Sequence, residues 1–184
     1  LWPNPEENTE AITAAFAEWG GRFGLKHGNL ASTRPAEDRD TLIIGYLIGP
    51  LGRRRNGSFI SDVLSHHRRQ RFLSVGFGYG ALTSPQNIPF QKSFDTWHDI
   101  QGMDPITFGS MVAAERIDIM VDLCGFAAPD LLVAFGQRLA PVQISALGAP
   151  SGTGLAEMDA ILTDKFVSKG VKKSAYRETL VNLK

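Results

Sequence analysis

Residues 41–48 read Thr41-Leu42-Ile43-Ile44-Gly45-Tyr46-Leu47-Ile48, a nearly continuous apolar run. A strand wetted on one side alternates apolar and polar residues, whereas a strand covered on both faces does not. The run therefore predicts a fully buried strand. Outward from it, further strands are expected at Phe72–Phe77, Ile117–Leu123, Val142–Leu147, Ala160–Thr163 and Thr179–Leu183. Helical spacing intervenes: Phe59, Ile60, Val63 and Leu64 form one apolar face, and Asp104-Pro105 opens a helix carrying Phe108, Met111 and Val112. A further helix is expected over 129–138, carrying Leu131, Leu132 and Phe135. Residues 80–93, with Pro85 and Pro89, read as loop, and a short strand-like piece follows at Phe94–Ile100. Such alternation of strands and helices implies an α/β fold with a parallel sheet covered on both faces.

Upstream, Asn4-Pro5-Glu6-Glu7 reads as a helix start, with Asn as cap, Pro in the first turn and acids at the positive end of the dipole. Ile12, Ala15, Phe16, Trp19 and Phe23 then line one helix face, which needs a partner surface. Residues 24–40 are polar and rich in turn formers, and read as a linker. The expected division is thus 1–40, helix and linker, and 41–184, the α/β unit.

The chain has 184 residues, with 19 basic and 19 acidic side chains. Its balanced charge argues against attraction to nucleic acid or an anionic membrane. No apolar run approaches the ~18–20 residues that cross a bilayer, and the N-terminus lacks the features of a secretory signal. The single cysteine, Cys124, excludes an internal disulfide framework and a multi-cysteine zinc site. A soluble, reduced, cytoplasmic protein is expected. The first residue, Leu1, points to a fragment or a processed piece.

Ligands of open parallel sheets sit beyond the carboxyl ends of the strands. The loops there are 49–58, 76–80, 124–127 and 148–154. Gly76-x-Gly78-x-Gly80 has neither Rossmann nor Walker spacing, and reads as a strand end with tight turns. Arg53, Arg54, Arg55, Arg68, Arg69 and Arg71 make a basic stretch opposed by Asp62 alone. It splits into two groups around a helix, so a solvated surface competes with a phosphate or nucleic-acid role. His66-His67 falls at a helix end, where imidazole can bond terminal carbonyls. His27 lies in the linker and His98 in the short strand-like piece; no metal-binding spacing appears. Cys124 reads as a small buried residue rather than a reactive thiol. Gly148-Ala-Pro-Ser-Gly-Thr-Gly154 is the most informative loop, because glycines admit close backbone approach and Ser151 and Thr153 add hydroxyls. Backbone amides there suit a phosphate or a sugar.

Five segments, taken in order, resemble one family. Leu42–Tyr46 with His66-His67 and Arg71-Phe72 resembles a "RVGYVSPDF…H…HD..RFE" block. Ala114–Gly125 resembles "IDILVDLAGHT", and Leu139–Pro150 resembles "RPAPVQVSWLGYPGTTG". Met158–Asp164 resembles "MDYIITD", and Tyr176–Leu183 resembles "YSERLVRLP". Together they resemble the protein O-GlcNAc transferases, the SPINDLY-type glycosyltransferases. The resemblance implies the first Rossmann-like lobe of a GT-B enzyme, with the second lobe and upstream TPR helices as missing partners. It implies transfer of N-acetylglucosamine from a UDP-sugar donor to Ser or Thr of a protein acceptor, without a metal and with no other cofactor.

Departures from the family pattern bear on activity. The family's Asp is replaced by Pro50, and its active-site His falls at Arg54, which cannot act as a base near neutral pH. "GHT" reads Gly125-Phe126-Ala127, and "WLGYPGTTG" reads Ala146–Gly154, keeping Gly148, Pro150 and Thr153. The expected ligand site is therefore the carboxyl edge, among Arg54, Ser58, Gly125, Gly148, Pro150, Ser151 and Thr153, with no catalytic residue assigned. The leading expectation is a lobe of a glycosyltransferase, inactive alone. The alternatives are a non-catalytic protein-interaction module and a basic nucleic-acid binder.

Overall fold

In a computed structural model, residues 9–24, 29–33, 40–49, 59–80, 87–146, 152–166 and 176–183 are described. The apolar run forms β1 (Leu42–Ile48), buried from Gly45 to Ile48 but not over its whole length as expected: Leu42 is 39% exposed and Ile43 and Ile44 are half-buried. Six further strands follow: β2 (Phe72–Gly78), β3 (Thr96–Asp99), β4 (Ile119–Asp122), β5 (Val142–Ala146), β6 (Ala160–Asp164) and β7 (Thr179–Leu183). They form one sheet in the order β3-β2-β1-β4-β5-β6-β7, with every pairing parallel. The chain winds outward from β1 to β3, then crosses back to lay β4 against β1. The fold is a Rossmann-like α/β lobe, and its switch point falls between β1 and β4.

Side-chain alternation along the strands divides the core. Leu47, Val75, Phe77 and Met120 pack against Phe108, Val112, Leu131, Leu132 and Phe135 on one face. Tyr46, Ile48, Val121 and Ala146 pack against Ile60, Leu64, Phe90 and Phe94 on the other. Helix α1 is Thr9–Phe23, α2 spans residues 59–65, α3 is Ile88–Gln91, α4 is Pro105–Ala114 and α5 is Pro129–Leu132. Asp104 caps α4 as its sequence requires, accepting from Ile106 N at 2.9 Å and Thr107 N at 3.1 Å. The Thr107 hydroxyl and these amides lower the Asp104 pKa from its ordinary value.

Register is fixed at the amino edge by three aspartates, each placed just before its own strand. Asp118 accepts the Ile43 amide, Asp95 the Ser74 amide and Asp159 the Gln143 amide, all at 2.8 Å. Each ties the start of one strand to its neighbour.

Three further sequence expectations are corrected. The helix expected over 129–138 ends as α at Leu132 and continues as a 3₁₀ turn, Val133–Gln137. Gln143 caps the far end of this turn. Its side-chain amide donates to Phe135 O and its carbonyl oxygen accepts from Leu139 N, both at 2.9 Å. Those two backbone groups would otherwise bond each other in a continuing helix. Within 80–93, α3 forms where loop was expected, because Phe90 seats against Phe94 and Trp97 at ring distances of 5.5 and 5.9 Å. Pro89 lies in its first turn, where the missing amide is harmless. Within the expected linker, Leu30–Thr33 forms a 3₁₀ turn; Leu30 packs on the core and Ala31 N donates to Arg138 O at 2.9 Å.

The apolar face of α1 finds its partner on the α/β unit. Phe16 stacks on Phe126 at 4.3 Å, and Trp19 meets the same ring edge-on at 5.0 Å. Phe23 remains 51% exposed, so the buried stripe is shorter than its sequence spacing implied. The expected cap at Asn4-Pro5 lies outside the described residues. Trp19 is half-buried, so Trp19→Ala is expected to destabilise by about 2–3 kcal/mol, below the about 3–5 of a fully buried aromatic. Phe126→Ala should lower the urea midpoint similarly. Unchanged midpoints in both variants would show that α1 contributes nothing to the stability of the lobe.

Candidate functional site

The carboxyl edge is built from the ends of β1, β4 and β5 and, among the described residues, the turn that leaves β4. At its centre is Asp122, the last residue of β4, which is 0% exposed. Its Oδ1 accepts Cys124 N at 2.8 Å and Gly125 N at 2.9 Å, and Oδ2 accepts Gly125 N at 3.0 Å. Among the described residues no cation pairs with it. Burial pushes its carboxyl up to about 6, with the amides of Gly125 and Cys124 opposing. Beside it in register on β5, Ser145 is buried, and its hydroxyl has no hydrogen-bond partner among the described residues.

Asp122 thereby shapes the turn at Gly125–Ala127. Gly125 sits at φ 53°, a conformation that favours glycine. The turn presents Phe126 to helix α1. Cys124 is buried as its sequence context implied, with Sγ 3.6 Å from Leu47 O. Burial first, then the Asp122 charge, pushes its thiol well above the ordinary value, so no thiolate nucleophile forms there.

The second turn is Gly152-Thr153-Gly154, with φ 87° at Gly152 and 76° at Gly154. Thr153 is 0% exposed, and both its amide and its hydroxyl donate to Glu178 Oε1 at 2.7 Å. Its hydroxyl therefore faces the protein interior and holds the turn. Gly154 abuts the Phe16 carbonyl of α1, so Phe16 touches both turns, by its ring at Phe126 and by its backbone at Gly154. Of the expected site residues, Gly125 lies at the carboxyl end of β4, whereas Thr153 is bonded to Glu178 at the amino end of β7; α1 contacts both turns. Arg54, Ser58, Gly148, Pro150 and Ser151 lie outside the described residues, in the segments that leave β1 and β5.

The other sequence candidates have structural roles. Gly76 and Gly78 admit the Trp97 indole; a Cβ at either position would collide with that ring. The His66 Nδ1 lies 2.7 Å from Asp62 O at the end of α2, as its position implied. His98 pairs through Nε2 with Glu115 Oε1 at 2.7 Å and stacks on Phe77. Arg69 pairs with Asp95 at 2.9 Å, and Arg71 O accepts Leu42 N, which puts these arginines at the amino edge, opposite the site. Arg53, Arg55 and His27 lie outside the described residues. Among the described residues no group of three or more His, Cys, Asp or Glu is placed to hold a metal, and no helix is long and apolar enough to cross a membrane.

Sequence reasoning missed Asp122 and Glu178. The available signal for Asp122 was an acid closing an apolar strand directly before Cys124-Gly125. Nothing local marks Glu178, because its burial depends on a turn 25 residues away.

The doubly wound sheet defines the class: a Rossmann-like α/β lobe, a type of domain in which ligands bind at the switch point of the sheet. More particularly, the chain belongs to glycosyl transferase family 41, whose profile matches residues 27–184. It is 31% identical over 179 residues to the probable UDP-N-acetylglucosamine–peptide N-acetylglucosaminyltransferase SPINDLY of Arabidopsis thaliana, covering 95% of this chain and 20% of that protein. It is 28% identical over 146 residues to the probable enzyme of the same type named SEC from that plant, covering 77% of this chain and 15% of the other. Among solved structures, a mutant O-GlcNAc transferase of Thermobaculum terrenum superposes with a TM-score of 0.81 at 24% identity, over 98% of this chain and 35% of that one. The chain thus spans about a fifth of the length of these SPINDLY relatives.

The buried Asp122 gives a pH test. A carboxyl raised from 3.8 to about 6 by folding adds no penalty below about pH 4, and the penalty is complete above about pH 6. Stability attributable to this residue falls across that window by on the order of 2–3 kcal/mol. Asp122→Asn retains an acceptor for the Cys124 and Gly125 amides without the charge. Its melting temperature relative to the parent is expected to rise as pH increases from 4 to 7, and a pH-independent difference would refute the assignment.

Proposed function

We propose that this chain is the amino-terminal lobe of an O-GlcNAc-transferase-type glycosyltransferase. It forms one wall of a cleft in which a sugar passes from a UDP-sugar to Ser or Thr of a protein acceptor. The observation that carries this reading is the family match across residues 27–184 on a lobe that offers a single sheet edge. Transfer requires donor and acceptor to meet in one dry cleft, so a single wall does not complete it. On this reading a second lobe follows and TPR helices precede, and the whole works in the cytoplasm. Residues 1–40 form the helix and its linker, and 41–184 the lobe. On this reading Arg54, Ser58, Gly125, Gly148, Pro150 and Ser151 bind the sugar nucleotide. Thr153 holds its turn from inside.

One observation favours a second reading, a protein-interaction module that retains the lobe as scaffold. Phe126 stands where the family's motif has an imidazole or a phenol, and its ring is taken up by Phe16 and Trp19. An aromatic group committed to helix docking contributes packing, not chemistry.

Incubation with UDP-N-acetylglucosamine is expected to release no UDP above a protein-free blank; reproducible, protein-dependent release would overturn the inactive-lobe reading. Titrating the same nucleotide into labelled protein should shift Arg54, Gly125 and residues 148–153, with an affinity in the millimolar range, about 4 kcal/mol. Shifts confined to Arg68, Arg69 and Arg71 would instead show phosphate held at the amino edge and would refute the site.

A further inference from the structure

Glu178 is 4% exposed and lies just before β7, yet it bonds a turn 25 residues upstream. One oxygen, Oε1, takes both the amide and the hydroxyl of Thr153 at 2.7 Å. The Thr153 hydroxyl oxygen in turn accepts the Leu155 amide at 3.3 Å. Two bonds to one residue fix its backbone position and its rotamer together. A buried carboxylate is an expensive way to obtain stability, since apolar packing in the same volume serves as well. What it supplies is orientation.

The other side of the turn is closed by helix α1. A Cβ on Gly20 would strike the Gly154 carbonyl, and a Cβ on Gly154 would strike the Phe16 carbonyl. Gly24, one helical turn beyond Gly20, lies against Leu155. Helix backbone and turn backbone therefore touch without side chains between them. Gly152 completes the fit from below, where a Cβ would come within 3.1 Å of Glu178 Oε2 and 3.3 Å of the Tyr176 ring. The turn is held between two surfaces, one of them a carboxylate and the other a helix that enters from the amino-terminal side.

We infer that Glu178 is a positioning residue for the Gly152–Leu155 turn, and that helix α1 is the opposing jaw through which displacement of that helix reaches the turn. The inference rests on the reading of residues 148–153 as part of the sugar-nucleotide site. The turn itself is tested without any nucleotide, so failure of one is distinguishable from failure of the other.

The test is amide hydrogen exchange on the full chain, read residue by residue. Glu178→Ala is expected to raise exchange at 153–155 at least tenfold while β1 and β4 amides keep their protection. Glu178→Gln retains the Oε1 acceptor and is expected to restore protection, a rescue that loss of bulk or of general packing does not explain. Gly20→Ala, on the opposite jaw, should raise exchange at the same amides. If Glu178→Ala fails to fold, Thr153→Ala against Thr153→Ser makes the same comparison, with Ser restoring the protected turn. Uniform loss of protection, no rescue by Gln or Ser, or fraying of α1 alone in Gly20→Ala would each overturn the inference. Titrating UDP-N-acetylglucosamine into Glu178→Ala and Glu178→Gln then asks whether the turn's order reaches the ligand; equal shifts in both variants would overturn that part.

Discussion

The parallel pairing of β1 with both β2 and β4 is the constraint on which the rest depends. It makes β1 the centre of the sheet, covered on both faces, and it forces the chain to reverse its direction of winding between β1 and β4. In open α/β sheets such a reversal makes the turns leaving the two strands diverge, and ligands bind in the crevice between them. The amino edge is treated in the opposite way. There Asp95, Asp118 and Asp159 close the strand starts onto one another, and Arg69 and Arg138 pair with two of those acids. One edge is tied shut by side chains, and the other is left to glycine turns.

Much of this was legible. The uninterrupted apolar run of β1 announces burial on both faces, and the Asp104-Pro105 pair announces the start of α4, because both signals are local. The same is true of Ile12, Phe16 and Trp19, whose spacing defines a face. What sequence could not supply was the identity of the surface receiving that face, since Phe126 lies more than a hundred positions away in the chain. The helix expected over 129–138 has sound apolar spacing, but it tightens to a 3₁₀ turn from Val133, and Gln143, from the following strand, takes the two backbone groups that would carry it past Arg138. Prolines misled within 80–93, where Pro89 belongs to the first turn of a short helix held by aromatic packing.

The site shows the same division between local and distant causes. Gly125 and the glycines around Thr153 could be singled out from spacing and topology, because left-handed turns demand glycine. The direction of the Thr153 hydroxyl could not. A hydroxyl in a glycine-rich loop reads as a donor for a ligand, and here it donates to Glu178 within the protein. Asp122 was visible as an acid at the end of an apolar strand, but its raised carboxyl depends on complete burial, a property of the assembled sheet.

The contact of α1 with the turns at Gly125–Ala127 and Gly152–Gly154 bears on how the molecule can be divided. The boundary drawn from composition, near residue 40, separates a helix from an α/β unit, and a shortened version beginning at Thr41 follows naturally from it. Such a version would lose the covering of Phe126 and of the backbone at Gly154 together, leaving an aromatic ring and a bare peptide ridge uncovered. Exposed apolar surface of that kind favours association between molecules. The practical boundary for making a well-behaved soluble lobe therefore lies before Thr9, and the helix is part of its solubility as much as of its shape.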